Sequence, residues 1–125
     1  MFAEAPRNSM KWKPSTQEVT LETLPTILTE HDCVVLHFWA EWDLLDRTMD
    51  ERLGKVIHGC SDRIFFGSFD TDPKDHWATC NELRLKNLPA LVAFVNGKHL
   101  ETTHGLRSEA QPKEKFEEWL VAARL

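Results

Sequence analysis

The chain has 125 residues, a length that suits one domain built on one core. Hydrophobic residues make up 42% and charged residues 28%, the balance of an ordinary globular protein, and no apolar run approaches the roughly 18 residues of a membrane-crossing helix. A formal net charge of -5 argues against a phosphate-binding surface, which needs clustered Lys and Arg, so neither nucleic acid nor membrane is an expected partner.

Residues 1–16 are polar and proline-rich, with no continuous apolar stretch of the kind a secretory signal carries. They read as a flexible tail unless Phe2 or Trp12 docks on the domain, which is expected to span 17–125. The expected location is cytoplasmic. A short strand is predicted at Glu18–Leu21, and a short helix at Leu24–Glu30 with Pro25 in its first turn. Cys33–Trp39 is a near-continuous apolar run, the pattern of a strand covered on both faces.

Helical periodicity follows over Asp43–His58, where Leu45, Met49, Leu53, Val56 and Ile57 recur three or four apart and are expected to face inward. Arg63–Asp70 reads as the next strand. Asp72 is expected to cap a helix with Pro73 at its first position, and Trp77, Cys80 and Leu83 would point inward from it. Ala90–Val95 is a further strand. Asn96-Gly97 is a strong short hairpin signal and leads into a strand over Lys98–Thr103. The last helix is expected to start near Ser108 or Gln111 and to bury Phe116, Trp119, Leu120 and Ala123. Helices between strands imply parallel crossovers, and the hairpin adds an antiparallel pair. The expected class is α/β, with a central mixed sheet of about five strands flanked by about four helices.

The three cysteines, Cys33, Cys60 and Cys80, are odd in number and far apart, and no C-x-x-C occurs. Neither a disulfide framework nor a zinc ribbon fits them. His58-x-Cys60 and His76-x-x-x-Cys80 have ligand-like spacing. No metal or other cofactor is nonetheless expected, because the pairs sit on two separate predicted elements and four ligands are not expected to converge.

Phe38-Trp39-Ala40-Glu41-Trp42 resembles thioredoxin, whose strand ends in this pentapeptide and runs directly into the redox motif C-G-P-C. Asp70, Leu88-Pro89-Ala90, Asn96-Gly97 and Gly105 match the family at the right spacing, and the resemblance covers Gln17 to Leu125. Two departures bear on function. Asp43-Leu44-Leu45-Asp46 stands where the family has C-G-P-C, and His37 replaces a buried Asp that serves proton transfer in thioredoxin. Disulfide exchange needs a thiolate to attack and a second thiol to resolve the mixed disulfide, and a carboxylate does neither. No catalytic residue is therefore expected, and no disulfide oxidoreductase activity.

Asp43 suits the N-cap and Asp46 the first turn of the following helix, where the helix field favours negative charge. An acidic rim for a basic partner is the functional alternative. His37 in an apolar strand reads as a hydrogen-bonded core residue within reach of Asp46. The resemblance implies a cis bond at Leu88-Pro89 and free backbone groups at Leu88 that pair with an extended peptide. Trp39 is expected to be half-buried and Trp42 exposed beside Leu88. The expected binding groove is Trp42, Asp43, Leu44, Leu45, Leu88 and Pro89, taking an unknown protein or peptide on a monomer.

The expected function is thus a redox-inactive, thioredoxin-like adaptor or chaperone-like module. One alternative is an atypical thiol oxidoreductase using a single cysteine. Another is an assembly subunit, because Trp42-Asp43 followed by Met49-Asp50-Glu51 and Leu53 resembles the small thioredoxin-like spliceosomal protein.

Overall fold

The apolar run at 33–39 becomes the middle strand of a five-stranded sheet, buried at every position. The computed structural model describes residues 12–60, 62–105 and 110–123. In chain order these form β1 (Gln17–Glu18), α1 (Leu24–Glu30), β2 (Cys33–Trp39), α2 (Leu44–Ile57), β3 (Ile64–Asp70), a 3-10 turn (Lys74–His76) running into α3 (Trp77–Glu82), β4 (Ala90–Val95), β5 (Lys98–His104) and α4 (Ala110–Ala123). The sheet order is β1-β3-β2-β4-β5. β1 and β2 each run parallel to β3, while β4 is antiparallel to both β2 and β5. The mixed α/β sheet with four helices is the architecture expected above.

Alternation along the strands divides the core in two. On one face Val34, Leu36 and Phe38 of β2 pack with Phe69, with Ile27 of α1, with Cys80 of α3 and with Leu83 just beyond it. On the other face Cys33 and Val35 pack with Met49 and Leu53 of α2 and with Phe116, Trp119 and Ala123 of α4. Because β2 is covered on both sides it carries no exposed polar position, which is why its sequence lacks the usual two-residue alternation. Asn96 and Gly97 both have positive φ, 52° and 81°, so the β4–β5 hairpin closes through a turn whose twist matches its strands. Among the described residues no helix is long and apolar enough to cross a membrane.

Several local expectations are corrected. β1 is only two residues long, although Val19 N–H still donates to the Ser68 carbonyl at 2.8 Å. The chain leaves the sheet early because Thr20 and Thr23 cap one another: Thr20 N–H donates to Thr23 Oγ1 at 2.9 Å and Thr23 N–H to Thr20 Oγ1 at 3.3 Å. Asp72 does not cap a helix; Pro73 occupies that position. The turn that follows is 3-10, and its His76 is buried while Trp77, expected inward, is 53% exposed; Cys80 and Leu83 face inward as expected. His76 stacks on Phe69 at 4.3 Å and donates from Nδ1 to the Asp70 carbonyl at 2.6 Å.

The start of the last helix near Ser108 lies outside the described residues, as does the tail up to residue 11. From Trp12 the chain is docked. Trp12 meets Trp39 edge-on with ring centroids 5.4 Å apart, and Ser15 N–H donates to Asp50 Oδ1 at 3.0 Å.

Candidate functional site

The site region starts where β2 ends and α2 begins. Asp43 is the N-cap of α2, with extended backbone, and its Oδ1 accepts from Leu45 N–H at 2.9 Å. That bond satisfies one of the four amides a helix start leaves without a partner. Asp46, one turn later, is fully buried. Its Oδ1 shares a 2.8 Å hydrogen bond with His37 Nε2, and its Oδ2 accepts from Ala40 N–H at 3.1 Å. Burial pushes the Asp46 carboxyl above the ordinary carboxylate range; the His37 hydrogen bond, the His37 charge and the Ala40 amide pull the other way.

This reverses part of the expected helix face. The inward stripe of α2 runs Asp46, Met49, Leu53, and Leu45 is 49% exposed. The hydrophobic periodicity predicts Leu45 inward, which the structure corrects, while the expected approach of His37 to Asp46 is found. The spacing of 46, 49 and 53, with a polar His37 opposite in an apolar strand, is the signal that marks the buried pair. An acidic rim is thereby reduced to Asp43, since Asp46 has no exposed surface.

Trp42 is 69% exposed and donates from Nε1 to Asp72 Oδ1 at 3.0 Å. Beside it lies a cleft of about 420 Å³ lined by Trp42, Asp43, Leu85, Lys86, Asn87 and Leu88. The expected groove is therefore assembled only in part. Trp42, Asp43 and Leu88 come together. Leu44 and Leu45 are exposed on the first turn of α2 and are not among the residues lining the cleft. Pro89 is buried, in a Leu88–Pro89 bond that is cis. Leu85, Lys86 and Asn87 were not foreseen. They are set in place by Arg84 at φ 60°, by Leu85 N–H donating to the Cys80 carbonyl at 3.0 Å, and by Lys86 N–H donating to His104 Nε2 at 3.0 Å. Trp39, expected to be half-buried, is 6% exposed under Trp12.

The three cysteines are free thiols, and none lines the cleft. Cys33 is fully buried at the start of β2, and burial pushes its thiol up to about 11; Arg63 lowers it and Asp32 raises it less strongly. Burial also raises the Cys80 thiol. Cys60 is half-buried past the far end of α2 and donates from Sγ to the Val56 carbonyl at 3.2 Å. Among the described residues no three His, Cys, Asp or Glu side chains converge as metal ligands would.

Residues 15–121 match the family model described as Thioredoxin. A curated thioredoxin from Griffithsia pacifica is 25% identical over 79 residues, covering 63% of this chain and 71% of that protein. Among solved structures, a mutant thioredoxin from Halobacterium salinarum NRC-1 superposes with a TM-score of 0.70 at 20% identity, covering 86% of this chain and 90% of that one. Mitochondrial thioredoxin 3 from Saccharomyces cerevisiae in its oxidised form gives 0.72 at 19% identity, with 83% and 95% covered. The zinc-bound form of human ERp44 gives 0.66 at 21% identity over 82% of this chain, which spans 31% of that longer protein. These structural likenesses establish the fold, and the family match extends over most of the sequence. The chain belongs to the thioredoxin family.

Proposed function

We propose that this thioredoxin domain binds an extended segment of another polypeptide beside Trp42 and exchanges no disulfides. The observation that carries the reading is the fate of the two acids at the expected redox positions. Asp43 is committed to the α2 cap and Asp46 to His37 and Ala40, so both carboxylates are used by the fold. What remains at this end of the sheet is a recognition surface. A large, mostly exposed indole stands at the mouth of a cleft whose far wall is Leu85 to Leu88. Among the described residues the Leu88 backbone takes part in no hydrogen bond, so it is open to pair with an added strand. Cys33 and Cys80, buried with raised thiol pKa values, are poor nucleophiles.

The test has two arms. Extended apolar peptides are titrated against the wild type, Trp42→Ala, and Val121→Ala, whose side chain is exposed on α4. Loss of the Trp42 anchor is expected to weaken binding about tenfold or more, with Val121→Ala unchanged. Equal affinity in all three proteins removes the cleft. In the second arm the wild type is expected to show no catalysis of insulin reduction by a dithiol, and Asp43→Cys, Leu44→Gly, Leu45→Pro and Asp46→Cys together are expected to form a disulfide, as residues three apart at a helix start can. Turnover by the wild type at the rate of an active thioredoxin would overturn the reading.

A further inference from the structure

The far wall of the Trp42 cleft is the segment Leu85 to Leu88, and it is tied down unevenly. Up to Leu85 the chain is held closely. Arg84 N–H donates to the Asn81 carbonyl and Leu85 N–H to the Cys80 carbonyl, both at 3.0 Å. Thr102 Oγ1, on β5, donates to the Leu83 carbonyl at 2.9 Å. Past the wall, Gly105 N–H donates to the Pro89 carbonyl at 2.8 Å. Between these anchors residues 86–88 make a single hydrogen bond among the described residues: Lys86 N–H donates to His104 Nε2 at 3.0 Å.

That bond has a chemistry the other histidine bonds lack. His37 Nε2, His76 Nδ1 and His99 Nε2 each face an oxygen, on Asp46, Asp70 and Thr102. A ring N–H donates to an oxygen whether the ring is neutral or charged. His104 Nε2 faces a backbone N–H, which only donates. Nε2 must therefore present its lone pair, and the ring must be neutral with its proton on Nδ1. Protonation turns Nε2 into a second donor aimed at the first. The surroundings favour the neutral ring: burial lowers the His104 pKa below its ordinary value, and the Lys86 ammonium lowers it further. Ala90, the register partner of His104 on β4, carries no charge. Arg84 is exposed ahead of the wall, and Asp43 lies across the cleft. On β5 itself Glu101 pairs with Lys115 and Trp119 of α4, on the opposite face of the strand from Thr102 and His104.

We infer that His104 is a proton-sensitive latch on the cleft: neutral, it fixes Lys86 and the wall from Leu85 to Leu88, and protonated, it releases that wall and dismantles the cleft. That the release ends polypeptide binding beside Trp42 rests on the function proposed above; the latch itself does not. The sign follows from proton linkage. The closed wall excludes a proton that the open one accepts. The closed form is therefore fully favoured above the ordinary histidine pKa of about 6.5 and is lost as pH falls through the lowered value.

The experiment uses the isotope-labelled full chain and NMR. At about pH 7.5 the His104 ring is expected to carry its proton on Nδ1, and the Lys86 amide to be protected from hydrogen exchange. The ring's own titration gives its midpoint. From about one pH unit above that midpoint to about one below, Lys86 protection, corrected for the intrinsic rate, is expected to fall about tenfold or more while the β2 amides stay protected. His104→Gln places an acceptor oxygen at comparable reach and does not titrate, so Lys86 is expected to stay protected throughout. His104→Leu removes the acceptor, and Lys86 is expected to be unprotected at every pH. Wild-type protection unchanged across the midpoint, a neutral ring protonated on Nε2, a loss that persists in His104→Gln, or a protected Lys86 in His104→Leu overturns the inference. A short, capped valine–threonine peptide, uncharged over this range, is titrated on both sides of the midpoint. Its affinity for the wild type is expected to weaken about five- to tenfold on acidification and to hold constant in His104→Gln. If the peptide binds at neither pH while Lys86 is released as the ring titrates, the latch stands and the peptide reading alone falls. If it binds equally at both, the cleft survives the proton and the inference falls.

Discussion

His37 Nε2 and Asp46 Oδ1 lie 2.8 Å apart, and neither side chain has any contact with solvent. One comes from the middle strand and the other from the first turn of α2, so the pair fastens the helix start to the sheet. By the sequence resemblance to thioredoxin, His37 is expected at the position of a buried acid and Asp46 at that of the second redox cysteine. The pair thus places a base on the strand and an acid on the helix. Ala40 N–H fills the remaining Asp46 oxygen, while His37 Nδ1 is buried without a partner among the described residues. The carboxylate is therefore well satisfied and the imidazole only half so.

Breaking this pair is expected to cost far more than neutralising it. Asp46→Ala leaves His37 Nε2 and the Ala40 amide unpaired and should destabilise the fold by about 3–5 kcal/mol. Asp46→Asn keeps an acceptor for Ala40 and a polar partner for His37, and should stay within about 1 kcal/mol of wild type. The pH dependence separates charge from hydrogen bonding. Because burial holds the folded Asp46 pKa above its unfolded value, the folded state prefers the protonated carboxyl. Its contribution is complete below the ordinary carboxylate pKa and declines as pH rises through the raised value. Denaturant unfolding from about pH 4 to about pH 8 should thus show the wild type losing stability relative to Asp46→Asn. A relative gain over that window would mean that His37 and Ala40 stabilise the anion by more than burial costs it.

How much of this could be read beforehand depended on how local the cause was. β2 and β4 were legible because continuous apolar runs have one reading in a helix-covered sheet. The start of α2 was legible because Asp43 is a strong cap. Leu45 and Trp77 were misplaced because hydrophobicity was used to choose the inward face, whereas the approach of His37 to Asp46 was legible. In α2 the true phase depends on a buried acid satisfied from another strand, and Trp77 opens a helix entered from a 3-10 turn. β1 was overextended because reciprocal threonine caps end it, and side-chain capping leaves little trace in an apolar pattern. At the site, the grouping of Trp42, Asp43 and Leu88 followed from the resemblance to thioredoxin. Leu85 to Asn87 did not, because their position depends on a positive φ at Arg84 and on a contact with His104, distant in sequence.

The cysteines should be inert at neutral pH. With its thiol pushed up to about 11, Cys33 should be thiolate in on the order of one molecule in ten thousand at pH 7. Cys80 is raised by the same cause. In a Cys60→Ser variant, a chromogenic disulfide reagent should label the two remaining cysteines only as fast as the protein opens, and should reach full stoichiometry in denaturant. Rapid labelling of the native variant would restore a single-cysteine oxidoreductase as a serious possibility.

Two glycines should respond to alanine with opposite signs. Gly67 faces Gln17 across the β1–β3 pair, and a Cβ there would sit 2.8 Å from Val19 Cγ2, 2.9 Å from Phe65 Cε1 and 3.1 Å from the Gln17 carbonyl oxygen. Phe65 is half-buried and its ring can shift, but Val19 is 1% exposed and the third contact is backbone, so that part of the crowding cannot be relieved by swinging a side chain into solvent. The strand pair must separate instead, and Gly67→Ala should cost about 1–3 kcal/mol. Gly54 lies inside α2, and a Cβ there meets nothing within 4 Å. Gly54→Ala should stabilise by about 0.5–1 kcal/mol, because alanine loses less backbone freedom than glycine on entering a helix. Urea midpoints at constant slope would register both changes. A Gly67→Ala protein as stable as wild type would mean that β1 is not held against β3 in solution as closely as Val19, Gln17 and Ser68 require.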